Sequence, residues 1–544
     1  MMMTALTLEI LWRRMIALVD EMAATLLRTS FSTVIGAAND FGCELLDAHG
    51  NGLAHATRSM PVFNLLMPSV CKAVIRKYGD DIHEGDIFIC NDPWLLVGHT
   101  PDIAIVLPFF KHGVRVGFAA SIAHMADIGG ILDQNRARES YEEGLLIPLT
   151  RLYDRGREVS VVLDFIHHNV RNPEMVVGDV HAQVSACHVG AQKALALLDE
   201  YQMTGFSELA HEIHSRSELA IRAAVRALPD GEYAAETVFD ELDGPLVAKV
   251  KLLVQGETLA VDFCGSAPQH PRGGINSTLS YTTAHTCYAL KCALLPDVPS
   301  NEGCYAPFSV SAPLGSIFNC VRPASTMNRT KSGWYIAPLI MMALSKALPQ
   351  QVFASGGLMG AIGVYGREAD GRGFNASLFN AGGLGATYCN DGVSTTVFPS
   401  SASNVPVELY EVAAPVLISE KELIAGSGGA GKYRGGLGQR ATIKRLPGST
   451  AHIIVAASPH RQNPAPEGLH GGQAGSPARV GLNGKWLTRL EATQLTGAYD
   501  LREGDELTVD TAGGGGYGNP AKRDPAAVAI DLRDGLIITG SPSR

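Results

Sequence analysis

Residues 91–130, NDPWLLVGHTPDIAIVLPFFKHGVRVGFAASIAHMADIGG, carry two His-x-x-Asp units, His99…Asp102 and His124…Asp127. On a helix, either unit could be no more than an exposed ion pair. Here Pro101 and the β-branched residues after it disfavour a helix, so His99 and Asp102 stand at the mouth of a strand over Ile103–Phe110. Lys111-His112-Gly113 makes a short hairpin connection into a second strand, Val114–Ala123. With the turn centred on His112, Asp102 faces Ile122 and Thr100 faces His124. Side chains alternate along a strand, so Asp102 and His124 share a face as diagonal neighbours, about 5–8 Å apart at Cβ. His99, out in the loop, can fold over the same point.

Two imidazoles and a carboxylate at one end of a hairpin form a candidate divalent-metal site. Nitrogen and oxygen donors suit Zn, Mn or Fe(II), and the absence of cysteine ligands disfavours a purely structural zinc. An ion there with one open position would lower the pKa of water. The plain alternative is that these residues cap loops and pair as ordinary ions.

Other motifs carry less. GSGGAGKY, residues 426–433, nearly matches a phosphate-binding loop, but Tyr433 replaces the magnesium-holding hydroxyl and the following RGGLG breaks the helix that would receive phosphate. It reads as a glycine-rich turn, as does TAGGGGYG at 511–518. His167-His168 reads as a structural pair, and Cys264 and Cys287 as buried thiols. There is no Gly-x-Ser-x-Gly elbow of a serine hydrolase.

These residues must be held by a sizeable scaffold. Leu8, Leu11, Met15, Leu18, Met22 and Leu26 recur at helical steps. FGCELLDAHGNGLAHA reads as two strands with a turn near Gly50, and a helix follows over Leu65–Tyr78. Helices are expected at Val180–Glu200, Glu208–Ala227 and Ile336–Leu348. Strands dominate after Pro229, and from Val412 onward the chain reads as strands and glycine turns. The expected fold is multi-domain α+β with mostly antiparallel sheets: 1–229 carrying the metal site, a central α+β domain over 230–410, and a β-rich domain over 411–544.

Composition narrows the function. The 544 residues are 46% hydrophobic and only 18% charged, which suits large cores and interfaces. With 44 Lys+Arg against 54 Asp+Glu and no basic block, neither nucleic acid nor an anionic membrane is an expected partner. The longest apolar run, Tyr335–Leu344, holds Pro338 and falls short of the ~20 residues a membrane span needs. Ten scattered cysteines without a Cys-x-x-Cys pair suggest reduced thiols, and the expected location is cytoplasmic.

Taken together, NDPWLLVGHTPDI and AHMADIGG resemble signatures of the hydantoinase B/5-oxoprolinase family. So do EMAATLLRTSFS, NDFGCELLDAHG, EEGLLIPLTRL, NVRNPEMVVGDVHAQ, SGGAGKYRGGLGQR and TAGGGGYGNPAKRDPAAV, along almost the whole chain. The resemblance implies one divalent metal (Zn, Mn or Fe) held by Asp40, His99, Asp102 and His124. It leaves Asp127 to orient a ligand or accept a proton, and Asp127 and His124 as the catalytic pair. Asp40 follows from the resemblance alone. The resemblance also implies a hydantoinase A-type partner, an actin/hexokinase-like ATPase that carries ATP and Mg, in an α2β2 or larger hetero-oligomer. The implied reaction is hydrolytic ring opening of a phosphorylated cyclic amide such as a hydantoin, N-methylhydantoin, oxoproline or other lactam. The same ligands would serve the carboxylating subunit of a ketone carboxylase, and a non-catalytic scaffold for the ATPase is the third possibility. This chain departs from the family pattern at Ala38-Asn39, Phe63 and Met125, which points to a more apolar pocket.

Overall fold

The computed structural model describes residues 4–241, 243–488, 491–492 and 498–538. The β-rich reading of 411–544 therefore lies partly outside the described residues. The first helix, Ala5–Thr29, buries Leu8, Leu11, Met15, Val19, Met22 and Leu26 as one stripe, and Thr4 caps it by accepting from the Thr7 N–H. It packs on the long helix Pro173–Glu200, where a Cβ on Gly190 would lie 2.2 Å from Met22 Sδ.

Both helices cover one face of a seven-stranded antiparallel sheet. Its strands are β1 (Phe41–Asp47), β2 (Gly52–His55), β3 (Ile87–Cys90), β4 (Asp102–Lys111), β5 (Val114–His124), β6 (Thr150–Asp154) and β7 (Arg157–Glu158), in the order β2-β1-β5-β4-β3-β6-β7. The alternation of β4 sorts the two cores. Ile103, Ile105 and Leu107 join the helical layer, whereas Ala104 and Val106 face a larger core built with the rest of the chain. Asp102 has the even parity of the second set, as do Ala120, Ile122 and His124 on β5.

The register differs from the sequence expectation. Asp102 pairs directly with His124, two residues beyond Ile122. The turn is a two-residue connection with His112 at φ 52° and Gly113 at φ 78°, so it does not centre on His112. Phe109 then pairs with Gly117 and Phe110 with Arg115, so a bulge absorbs Val116. Together the turn and the bulge bring aspartate and histidine face to face.

Three further sheets follow, four-, four- and five-stranded. Among the described residues, only Thr258–Asp262 and Phe308–Ser311 pair in parallel between named strands. The third sheet joins Met359–Arg367 and Gly373–Ala381 to His452–Pro459, and so draws strands from both sides of residue 410. Three helices lie where sequence led to other bounds. One starts at Pro61, with proline in its first turn, and runs to Tyr78. A second, expected from Val180, opens at Pro173, again with proline in its first turn. The third stops at Leu344, ahead of Pro349. The tail is not wholly strand and turn, since Asp524 caps a helix over Pro525–Arg533. Cys264 is exposed, contrary to expectation, while Cys287 is buried. His167 and His168 are exposed at the end of a short helix. No described helix is long and apolar enough to cross a membrane.

The two glycine runs meet. Gly429 N–H donates to Gly514 O at 2.9 Å, Gly514 N–H to Gly436 O at 2.9 Å, and Tyr433 and Tyr517 exchange bonds of 3.0 and 2.9 Å. A Cβ on Gly435 would lie 1.9 Å from Gly514 O. These runs are packing surfaces, with no helix behind the first.

The bulge should be the sensitive point of the hairpin. A Cβ on Gly117 would lie 2.6 Å from both Leu46 O and Phe109 Cζ, whereas one on Gly113 meets nothing within 4 Å. Gly117→Val is expected to cost about 3 kcal/mol or more, and Gly113→Ala, which meets no atom but must hold a φ of 78°, about 1–2 kcal/mol. Calorimetric melting temperatures of the two variants would check that order.

Candidate metal centre

The site is built around Asp102, fully buried at the start of β4. Its Oδ1 accepts from His124 Nδ1 at 2.8 Å, and its Oδ2 accepts from Arg329 Nη2 at 2.9 Å. His99 Nε2 lies 2.8 Å from the same Oδ2. The donor atoms of His99, Asp102 and His124 all fall within 4.8 Å of one another.

His99 gives the most informative geometry. Its Nδ1 lies 3.1 Å from Met327 O, and a carbonyl can only accept, so Nδ1 carries the proton. In the neutral ring, Nε2 then turns a lone pair toward Asp102 Oδ2. The contact is short but lacks hydrogen-bond geometry, so buried Nε2 has no partner. Burial, with the Arg329 charge behind it, pushes the His99 pKa down to about 4, so a proton does not fill the gap near neutrality. Two acceptors facing each other call for a cation between them. Buried Asp40 Oδ1 is likewise without a partner. Two nitrogens and one or two carboxylate oxygens fit a divalent Zn, Mn or Fe ion.

The electrostatics are mutual. Burial alone would raise the Asp102 pKa, but His99, His124 and Arg329 more than reverse it and hold it well below the usual carboxylate range. Burial opposes the His124 cation, yet the Asp102 hydrogen bond and the Asp40 charge outweigh it and raise its pKa. Asp40 is pushed up to about 6, first by burial. Its backbone O accepts from the His124 N–H at 3.1 Å, which ties the loop before β1 to the end of β5.

Sequence reasoning did not find the groups that hold this arrangement from outside. Arg329 reaches Asp102 through close packing against Gly98, whose φ of 81° and lack of a side chain leave room for the Arg329 Cδ. Buried Glu143 accepts from the N–H groups of Thr326 at 2.7 Å and Met327 at 2.8 Å, fixing the carbonyl that orients His99. Neither residue sits in a metal-ligand spacing pattern, so the sequence offered no signal for them.

Asp40, His99, His124 and Asp127 line one cavity of about 260 Å³. Asp40 and Asp127 are outside the close three-residue group. Asp127 is held by Arg171, whose Nη1 donates to Oδ1 at 2.7 Å and whose backbone N–H donates to Oδ2. Phe63, Met125, Trp334 and Phe379 supply apolar wall, and His460, stacked on Trp334 at 4.9 Å, lines the cavity with its Nε2 unpartnered.

Similarity to known proteins extends along most of the chain. The family model described as hydantoinase B/oxoprolinase matches residues 4–520. The B-type component of a putative D-/L-hydantoinase from Pseudomonas sp. (strain NS671) is 31% identical over 95% of this chain and 90% of its own length. The caprolactamase subunit beta of Pseudomonas jessenii is 31% identical over 95% of this chain and 91% of its own length. A crystal structure of the ATP-dependent caprolactamase from that organism has a TM-score of 0.87 at 27% identity, covering 99% of this chain and 95% of that one.

The depressed His99 pKa sets a pH dependence. The folded state disfavours a proton that the unfolded chain accepts near 6.5, so this contribution to stability is present above 6.5 and is lost as pH falls toward 4. In chelator-treated protein, His99→Gln should flatten the fall in melting temperature over that interval. Parallel profiles for wild type and variant would contradict the assigned proton position.

Proposed function

The chain belongs to the hydantoinase B/oxoprolinase family, and from that premise we propose that it is the hydrolytic subunit of an ATP-dependent cyclic-amide hydrolase. Its substrate would be a lactam, hydantoin or oxoproline-like ring already phosphorylated by an A-type ATPase partner. The observation that carries this reading is the meeting of His99, Asp102 and His124 within 4.8 Å on the wall of a cavity. The relatives named as components of a hydantoinase and a caprolactamase support the substrate class and the need for a partner. The glycine run at 426–433 opens no helix, which is consistent with ATP and Mg being bound elsewhere, in an α2β2 or larger assembly.

Asp40, His99, Asp102 and His124 are the residues that would hold the divalent ion, which would supply Lewis acidity toward the ring carbonyl and toward water. The protein's part is positional. Asp102 orients His124, and Met327 O fixes the His99 ring so that Nε2 faces inward. Arg329 keeps Asp102 ionised, so it stays an acceptor. Asp127, aimed by Arg171, is the assigned proton shuttle. It takes a proton as water adds to the phosphorylated ring carbon and returns it to the ring nitrogen as the C–N bond breaks. A second water then cleaves the acyl phosphate to carboxylate and free phosphate. Apolar walls limit competing water around the ring.

Purified chain with its partner, ATP and a panel of lactams and hydantoins should yield ring-opened product heavier by one water. Gain of CO2 on a ketone would instead assign carboxylation. His124→Ala and Asp102→Asn should each reduce turnover by about a hundredfold or more and remove the tightly bound metal found by elemental analysis. Equal trace metal in wild type and variants would overturn the site, and full turnover in Asp102→Asn would favour a scaffold. Robust ATP hydrolysis by the isolated chain would contradict the division of labour.

A further inference from the structure

A second cavity of about 760 Å³ lies back to back with the first. Three places in the chain wall both: Asp40, Met60 and Ser400 face the metal side, while Asn39, Pro61 and Ser401 face the other. The second cavity differs in chemistry, since no carboxylate among the described residues lines it.

Its two cations, Lys291 and Arg58, pair with no carboxylate among the described residues. Lys291 is 7% exposed, yet its ammonium has one protein acceptor, Pro296 O at 3.1 Å, and no described carboxylate is within 4.0 Å of it. A buried ammonium held by one carbonyl is expensive unless an anion joins it. His55 stands beside Lys291 as a neutral ring, because burial lowers its pKa. Its Nδ1 donates to Ala56 O at 3.1 Å, and its buried Nε2 keeps an unpartnered lone pair that can accept the hydroxyl hydrogen of a hydrogen phosphate. Asp20, the one carboxylate acting on His55, is outside the lining and is held by the Thr57 N–H and hydroxyl at 2.7 and 2.9 Å. Arg58, on the exposed rim, makes no ion pair among the described residues. Ser59 accepts from the Cys43 N–H at 3.1 Å and Ser403 from Asn39 Nδ2 at 2.6 Å, so each hydroxyl hydrogen is left to donate.

The geometry points to a second binding site, for a phosphoryl oxyanion, with Lys291 at its floor, the Ser59 and Ser403 hydroxyls as donors and Arg58 at its mouth. Several cationic and hydroxyl donors without an acid suit a tetrahedral dianion better than a halide or a single carboxylate. The volume admits free phosphate or the phosphoryl end of a phosphate ester. If the reaction proposed above is right, phosphate is freed across the shared wall and this cavity receives a product. Binding itself does not depend on that reaction.

The test uses full-length protein stripped with EDTA, so that phosphate has no metal to bind. Inorganic phosphate, phenyl phosphate and sodium chloride are titrated at constant ionic strength, followed by calorimetry and melting temperature. Saturable binding of phosphate or of the ester, with a rise in melting temperature that chloride does not reproduce, is expected. The tighter of the two identifies free ion or ester as the natural form. Lys291→Met should melt higher than wild type without ligand, because a buried charge is gone, and should lose the ligand-induced rise. Arg58→Gln, on the rim, should fold normally and bind about tenfold more weakly. Absence of saturable binding by either phosphate compound, or unchanged affinity in both variants, would overturn the site. Those results would leave the hydrolase reading intact, because turnover and metal content are measured separately.

Discussion

A carboxylate without access to water must be surrounded by positive charge, and Asp102 is such a group. Its partners come from three separate segments: the loop before β4, the end of β5 and the turn at Arg329. Removing one partner from a buried ion cluster costs about 3–5 kcal/mol. The seven-stranded sheet and the segment over residues 325–333 are thereby obliged to meet at one point. Glu143 secures the second of these by taking two backbone N–H groups, although burial pushes its own pKa up to about 7. The candidate metal centre therefore also joins the two halves of the molecule.

The cavity beside this cluster is polar at one end and apolar along its walls. Phe63 and Met125 both line it. Methionine and phenylalanine offer no hydrogen bonds, so the walls favour an uncharged carbon framework and leave recognition of polar atoms to the Asp102 cluster and the Arg171–Asp127 pair. The two ends act differently, because Asp127 is already satisfied by Arg171 while His99 Nε2 and Asp40 Oδ1 are not.

Much of the site could be read from spacing. Pro101 and the β-branched run after it fixed a strand, the alternating pattern placed Asp102 and His124 on one face, and the loop brought His99 over them. The register was two residues out: the two-residue turn accounts for one and the bulge at Val116 for the other, and neither leaves a mark in composition. Asp40 depended on family resemblance, since one aspartate before a strand has no distinguishing pattern. Arg329 and Glu143 lie 227 and 41 positions from Asp102, and only the folded chain makes them neighbours. Helix bounds at Pro61 and Leu344 moved for local reasons involving proline. Strands on either side of residue 410 share one sheet, a pairing that local signals do not carry.

The interlocked glycines have a consequence for how the molecule is made. Residues 513–516 touch backbone at Ser427, Leu384, Glu467 and Ala430, so three earlier passages of the chain close around a stretch near its end. A ribosome must release that stretch before the knot can tighten. The first sheet and its helices can assemble during synthesis, whereas the distal half waits for the last glycines to arrive. A nascent chain halted before residue 513 would thus display a finished N-terminal layer beside an unfastened remainder.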